Sequence, residues 1–132
     1  MRVEFRALDR FDRVLKAAAA TGAGAILIQD DPYVYPQGKL IADVALKLRL
    51  PTSAGINELA DDGLMMTYGP DRQDMYRRSA SYVVRILKGA KPGDLPFEQP
   101  TKFELVINLR TAKALGIAIP TSVRLQATRV IE

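Results

Sequence analysis

Four consecutive apolar residues, Ala25-Ile26-Leu27-Ile28, stand between Gly24 and the acidic turn Asp30-Asp31-Pro32. A run this short, this uniformly apolar and this sharply bounded predicts a parallel strand covered on both faces, because each side of such a strand must meet a packed layer. The segments on either side of it have helical spacing. From Leu8 to Thr21, apolar side chains at Leu8, Phe11, Val14, Leu15, Ala18 and Ala19 fall on one helical face. Asp9 and Asp12 occupy the first turns, where negative charge suits the helix dipole, and Gly22 supplies a stop. A second amphipathic segment, roughly Gln37 to Leu48, places Leu40, Ile41, Val44, Ala45 and Leu48 on its apolar side.

The rest of the chain continues the alternation. Val3, Phe5 and Ala7 alternate with Glu4 and Arg6, the pattern of a half-buried strand. Pro51 to Gly55 and Leu64 to Thr67 read as brief strands. A long helix begins near Asp71 and runs to Leu87, with Met75, Tyr82, Val83, Ile86 and Leu87 as its expected buried side. Strand, helix, strand, helix, strand is the order of right-handed βαβ units on a parallel sheet, so the fold class is α/β. Beyond Lys88 the character changes. Lys91 to Pro96 is a turn-rich connector, and Phe103, Leu105 and Ile107 alternate as a strand. Asn108 is placed to cap a short helix over Leu109 to Leu115 that Gly116 ends, and the residues from Pro120 are expected to form a loose turn and a tail.

Composition excludes several classes of function. At 132 residues the chain is one domain's worth of sequence, and a chain of that size buries roughly 65–70% of its unfolded surface without staples. With no cysteine there is no disulfide framework, thiolate nucleophile or Cys-based zinc site. With no histidine the usual general base at neutral pH and the commonest transition-metal ligand are missing, which argues against a hydrolase triad and against a cofactor held by such residues. The net charge of +4 is dispersed, its densest runs being Arg77-Arg78 and Lys47-Leu48-Arg49, and no basic stripe is interleaved with aromatics. The expectation is therefore a solvated basic surface and no nucleic-acid partner. No apolar run approaches the ~20 residues that cross a bilayer. The N-terminal Met1-Arg2-Val3-Glu4-Phe5-Arg6 lacks the apolar core of a secretory signal, so the sequence as it stands predicts no export by that route.

The most specific stretch is C-terminal. "GAKPGDLP" (Gly89 to Pro96), "EQPTKFELVINL" (Glu98 to Leu109) and "TAKALG" (Thr111 to Gly116) strongly resemble the C-terminal end of ABC-transporter substrate-binding proteins of the tryptophan/tyrosine-transport type. Gly63-Leu64-Met65-Met66-Thr67-Tyr68-Gly69, Tyr76-Arg77-Arg78 and Tyr82-Val83 fit the same pattern, so the resemblance spans essentially the whole chain. It implies one lobe, residues 1–132, of a type I periplasmic-binding fold: a three-layer, Rossmann-like parallel-sheet lobe, with residues 88–132 as connector, strand and short helix. It also implies a solute held in a cleft between two lobes, no catalysis, an ABC permease as partner and a periplasmic location. Such proteins are usually more than twice this length. The chain resembles only their C-terminal lobe, whose opening strand and helix have no counterpart ahead of Met1.

In open parallel sheets, ligands bind beyond the carboxyl ends of the strands. Three such ends carry candidate ligand-binding residues: Asp30, Asp31 and Tyr33 after the first apolar strand, Asn57 and Glu58 after the next, and Tyr68 with Gly69 after the third. Carboxylates there accept an ammonium, Tyr33 or Tyr35 can stack on an apolar group, Asn57 offers donors and acceptors to a zwitterion, and Gly69 permits close backbone approach. Each also has a plainer reading, as an Asp-Pro turn, a helix-capping turn and a strand-ending turn. Asp30-Asp31 as a magnesium or phosphoryl-transfer pair is the weakest alternative, because Leu8-Asp9 supplies one further carboxylate where a receiver-type site needs a pair. Asp61-Asp62 reads as a solvated turn and Met65-Met66 as core. The competing function is self-association: a lobe lacking its first βα unit leaves a sheet edge open to a homodimer partner.

Overall fold

The structure, a computed structural model, describes residues 11–132. The strand expected over Val3 to Ala7 and the start of the first helix lie outside them. Within the described residues the chain forms α1 (Phe11–Ala20), β1 (Ile26–Ile28), α2 (Gly38–Lys47), β2 (Thr52–Ala54), β3 (Met66–Pro70), α3 (Arg72–Leu87), β4 (Phe103–Asn108), α4 (Leu109–Leu115), α5 (Thr121–Arg124) and β5 (Arg129–Ile131). Short 3-10 turns cover Tyr35–Gln37, Asn57–Ala60 and Pro92–Asp94.

The five strands form one sheet in the order β1-β2-β3-β4-β5. β1 runs parallel to β2 with Ile26 opposite Thr52, and β2 parallel to β3 with Ala54 opposite Thr67. β4 and β5 are parallel to each other, Ile107 opposite Val130. The Asn108 amide at the end of β4 donates to the Met65 carbonyl just before β3 (2.9 Å). The Asn57 side chain donates both to the Gly69 carbonyl near the end of β3 and to Glu104 near the start of β4. The end of one strand thus lies beside the start of the other, and β3 and β4 run in opposite directions. The sheet is mostly parallel α/β, as the alternation of elements implies.

Two units make up the chain: residues up to Gly69 together with Glu104–Glu132, and Pro70–Phe103. The first holds the core. Leu15 of α1, Ile41, Ala42 and Ala45 of α2, Ala54 of β2, and Leu59 and Leu64 form one buried cluster, with Ile26, Ile28 and Val44 packed against it. Leu59 and Leu64 expose essentially nothing; burying such a side chain contributes roughly 1.5–3 kcal/mol. Val106, Ile107, Ala112 and Leu115 are buried on β4 and α4. Asn108 caps α4 as its position implies: its Oδ1 accepts from the Thr111 amide (3.1 Å) while its Nδ2 donates to the Ala60 carbonyl (2.9 Å). Gly116 ends the helix with φ +75°, a left-handed conformation suited to glycine.

Three expectations are corrected. β1 is not covered on both faces: Leu27 is 82% exposed while Ile26 and Ile28 face the core. Successive side chains of a strand point to opposite sides, and only one side of β1 meets packed helices. The residues beyond Pro120 are not a tail, because Arg129–Ile131 joins the sheet as β5. Three residues carry no periodicity of their own; pairing with Val106, Ile107 and Asn108 makes them a strand. The third correction concerns α3. Its start is as expected, Asp71 accepting from the Asp74 amide (2.9 Å) as N-cap, yet Met75, Val83, Ile86 and Leu87 are exposed and Tyr82 is half-buried. Asp74 is the buried residue of this helix. Amphipathic spacing marks a face able to pack, and within Pro70–Phe103 too little chain is present to cover it.

A candidate ligand-binding surface at the strand ends

The carboxyl ends of β1, β2 and β3 come together on glycine. Asp30, two residues beyond β1, accepts a hydrogen bond from the Gly55 amide at the end of β2 (3.1 Å). Its carboxylate occupies the space a side chain at Gly55 would need, with a Cβ there falling 2.6 Å from Oδ2. At Gly69 a Cβ would meet the Gly55 carbonyl oxygen at 1.7 Å. The backbones after β2 and within β3 therefore approach more closely than any residue bearing a Cβ allows.

Asn57 opens the 3-10 turn after β2 with its side chain buried, and its amide donates to the Gly69 carbonyl (3.4 Å) and to Glu104 Oε2 (3.2 Å). Among the candidates it is the structural one, tying β3 to β4. Asp31 is exposed and its Oδ1 accepts from the Tyr33 amide (2.7 Å), so it fixes the turn that presents Tyr33. Tyr33, Tyr35 and Tyr68 are exposed by 65%, 43% and 59%, three phenol rings turned to solvent near the same strand ends. Glu58 is exposed beside Asn57. Met65 and Met66 are half-buried, and neither reaches the core's full burial. The structure thus brings Asp30, Gly55, Asn57 and Gly69 into direct contact, and leaves Tyr33, Glu58 and Tyr68 as exposed groups around them.

Sequence reasoning missed Glu104, Arg129 and Asp61. Arg129, at the start of β5, makes a two-pronged ion pair with Asp61, Nη1 to Oδ1 at 2.6 Å and Nη2 to Oδ2 at 2.7 Å. The Arg129 hydrogen bonds hold the Asp61 carboxyl below its usual range against the opposing effect of partial burial. Asp61 in turn raises Arg129, with smaller contributions from Glu104 and Glu58. Asp61 is thus exposed but paired, where a solvated turn was expected. One cation accordingly sits among three carboxylates. These residues are separated by up to 71 positions in the chain, and no local pattern links them; the sheet order does. Among the described residues, no group of three side chains could hold a metal ion.

In Pro70–Phe103, described by itself, the Asp71 amide donates to the Lys102 carbonyl (3.0 Å) and Lys102 Nζ reaches Asp74 Oδ1 (2.8 Å). That bond, aided by Arg77 and Arg78, holds the Asp74 carboxyl below its usual range. A cavity of about 380 Å³ lies between α3 and the 92–100 segment, lined by Met75, Ser79, Tyr82, Ile86, Leu95 and Phe97 among others. Tyr82 donates to the Pro96 carbonyl (2.7 Å), and Arg78 pairs with Glu98 at its edge.

A family model described as ABC transporter substrate binding protein matches residues 6–131. Among solved structures, a conserved domain protein from Vibrio cholerae is similar at 27% identity and TM-score 0.84, over 91% of this chain and 40% of that one. The structure of an ABC domain in complex with L-Trp from Streptococcus pneumonia is similar at 25% identity and TM-score 0.83, over 92% of this chain and 42% of its own. A ligand-free, open substrate binding protein from Clostridium difficile shares the fold at 17% identity and TM-score 0.63. This chain spans about 40% of the length of these structures. No curated protein matches the sequence.

Proposed function

Because the chain belongs to the ABC transporter substrate binding protein family, we propose that it supplies one wall of a cleft that holds a small solute for an ABC permease, and performs no chemistry on it. The observation that carries this reading is the pairing of exposed tyrosines with acidic groups at adjoining strand ends: Tyr33 and Tyr68 beside Asp30 and Glu58. An amino acid with an aromatic or other hydrophobic side chain fits both features. Its ammonium is met by Asp30 or Glu58, its side chain lies on a phenol ring, and the close backbone at Gly69 leaves room for it. Asp31 and Asn57 shape the wall by holding its turns. The L-Trp named for the Streptococcus structure supports this ligand class. The family places such proteins on the outer side of the cytoplasmic membrane, and we assign this chain there.

The test is calorimetry on a two-lobed chimera in which this chain replaces the matched portion of the Vibrio cholerae protein. L-tryptophan, L-tyrosine, L-phenylalanine, L-leucine and small carboxylates form the panel. At least one amino acid is expected to bind, with Tyr68→Ala weakening it about tenfold, or 1.4 kcal/mol. No heat with any member rejects the reading.

A second reading has its own observation. Leu27 is 82% exposed on β1, the first strand in the sheet order, and an apolar edge strand invites a partner. Light scattering on the 132-residue chain decides it. A doubled mass that Leu27→Lys returns to monomer favours a homodimer, and a monomeric mass ends it.

A further inference from the structure

α3 carries two apolar stripes. Met75, Ser79, Tyr82 and Ile86 face the cavity closed by the 92–100 segment. Tyr76, Ala80, Val83, Val84 and Leu87 recur at i, i+4, i+7, i+8 and i+11, a second face of the same helix. This stripe is bare: Tyr76 is 68% exposed, Val83 55%, Val84 48% and Leu87 81%. Ser81 and Arg85 lie on the polar remainder, with Arg77 and Lys88 bordering the stripe. A lone helix and one strap bury too little to hold a helix of this length in water. Contiguous apolar surface rimmed by charge is where another folded element docks.

The occupant is identified by what the solved relatives contain and this chain does not. The Vibrio and Streptococcus structures match over nine-tenths of this chain, Pro70–Phe103 included in that span, yet the match is only 40% and 42% of their own length. More than half of each molecule is therefore chain with no counterpart here, enough for a second α/β lobe. We propose that the Tyr76–Leu87 stripe of α3 is the docking face for that second lobe, with an apolar patch and acidic rim on the lobe meeting the stripe, Arg77 and Lys88. Pro70–Phe103 is then the part of this chain that belongs structurally to its partner lobe, while the strand-end surface stays with the sheet. The inference rests on the solute-binding reading for its two-lobed assembly.

The experiment compares hydrogen exchange of residues 76–87 in the 132-residue chain and in the chimera with the Vibrio cholerae lobe. Helix amides lacking tertiary cover exchange at rates set by fraying, and docking slows them, here by at least tenfold. Val83→Asp with Leu87→Asp should abolish that slowing, whereas Ser81→Asp, on the polar side of the same helix, should leave it. Equal exchange in the two forms overturns the proposal, as does protection that the double variant keeps. Protection in the lone chain that accompanies a doubled mass assigns the stripe to a second copy and also overturns it. The amino-acid panel, run on the same chimera, separates the two ideas. Protection without heat rejects the solute reading alone, and heat without protection rejects the docking face alone.

Discussion

The sheet unit and the α3 unit draw on the same kinds of residue and treat them oppositely. Leu59, Leu64, Val106 and Ile107 are closed off from solvent, whereas Val83, Val84 and Leu87, no less apolar, are open to it. The sheet unit has strands and helices on which α1 and α2 can stack; the α3 unit has one helix and a strap. Burial is therefore a property of what surrounds a residue. An apolar face in a sequence announces a need for cover without saying who provides it.

The sharpest way to test that contrast is paired truncation. Leu59→Ala or Ile107→Ala is expected to cost about 2–5 kcal/mol in urea unfolding of the 132-residue chain. Val83→Ala or Leu87→Ala should stay within about 0.5 kcal/mol, as for exposed positions. Comparable losses in both pairs would erase the distinction between the units.

Next in size is the glycine contact. Gly69→Ala must displace the Gly55 backbone and should cost about 1–3 kcal/mol or more. Gly55→Ala meets only the Asp30 carboxylate. That side chain can swing aside, so the smaller loss should be accompanied by weaker solute binding in the chimera. Thermal unfolding and calorimetry check the two arms.

The helix caps sharpen the comparison further. Asn108 is buried and joins the α4 cap to the Ala60 carbonyl, whereas Asp71 caps α3 through the Asp74 amide alone. Asn108→Ala should cost about 2 kcal/mol, and Asp71→Ala nearer 0.5 kcal/mol, in denaturant unfolding.

The smallest effect is the Asp61–Arg129 pair. Both side chains are about half exposed, so solvent screening limits the pair to about 0.5–1 kcal/mol. Asp61 is held below its ordinary 3.8 in the folded chain. Its contribution is thus complete above that value and is lost as pH falls through the lower folded one. Asp61→Asn should flatten this part of the acid limb of a stability-versus-pH profile, and 1 M salt should shrink it. A profile unchanged by the substitution would remove the pair from the account.

Local chemistry was legible where one segment carried its own instructions. The β1-α2-β2 alternation, the Asn108 cap, the Gly116 stop and the Asp71 start each follow from residues within a few positions of one another. The strand-end rule likewise led to Asp30, Asn57 and Gly69. What escaped depends on distant partners. β5 exists because β4 lies beside it, Arg129 meets Asp61 across 68 positions, and Leu27 is open because no layer covers its side of β1. Even Asn57, rightly located, has a structural duty to Gly69 and Glu104 that its neighbours in sequence do not disclose.

The opposed directions of β3 and β4 have one more consequence. Asn57 bridges Gly69 and Glu104, so the chain leaves the sheet and re-enters it at adjacent points. Everything between is, topologically, an elaborated hairpin loop. Such a segment can be lengthened, exchanged or replaced by a tight turn without rethreading a single strand of its host, which makes this position a natural graft point for building or dismantling larger architectures.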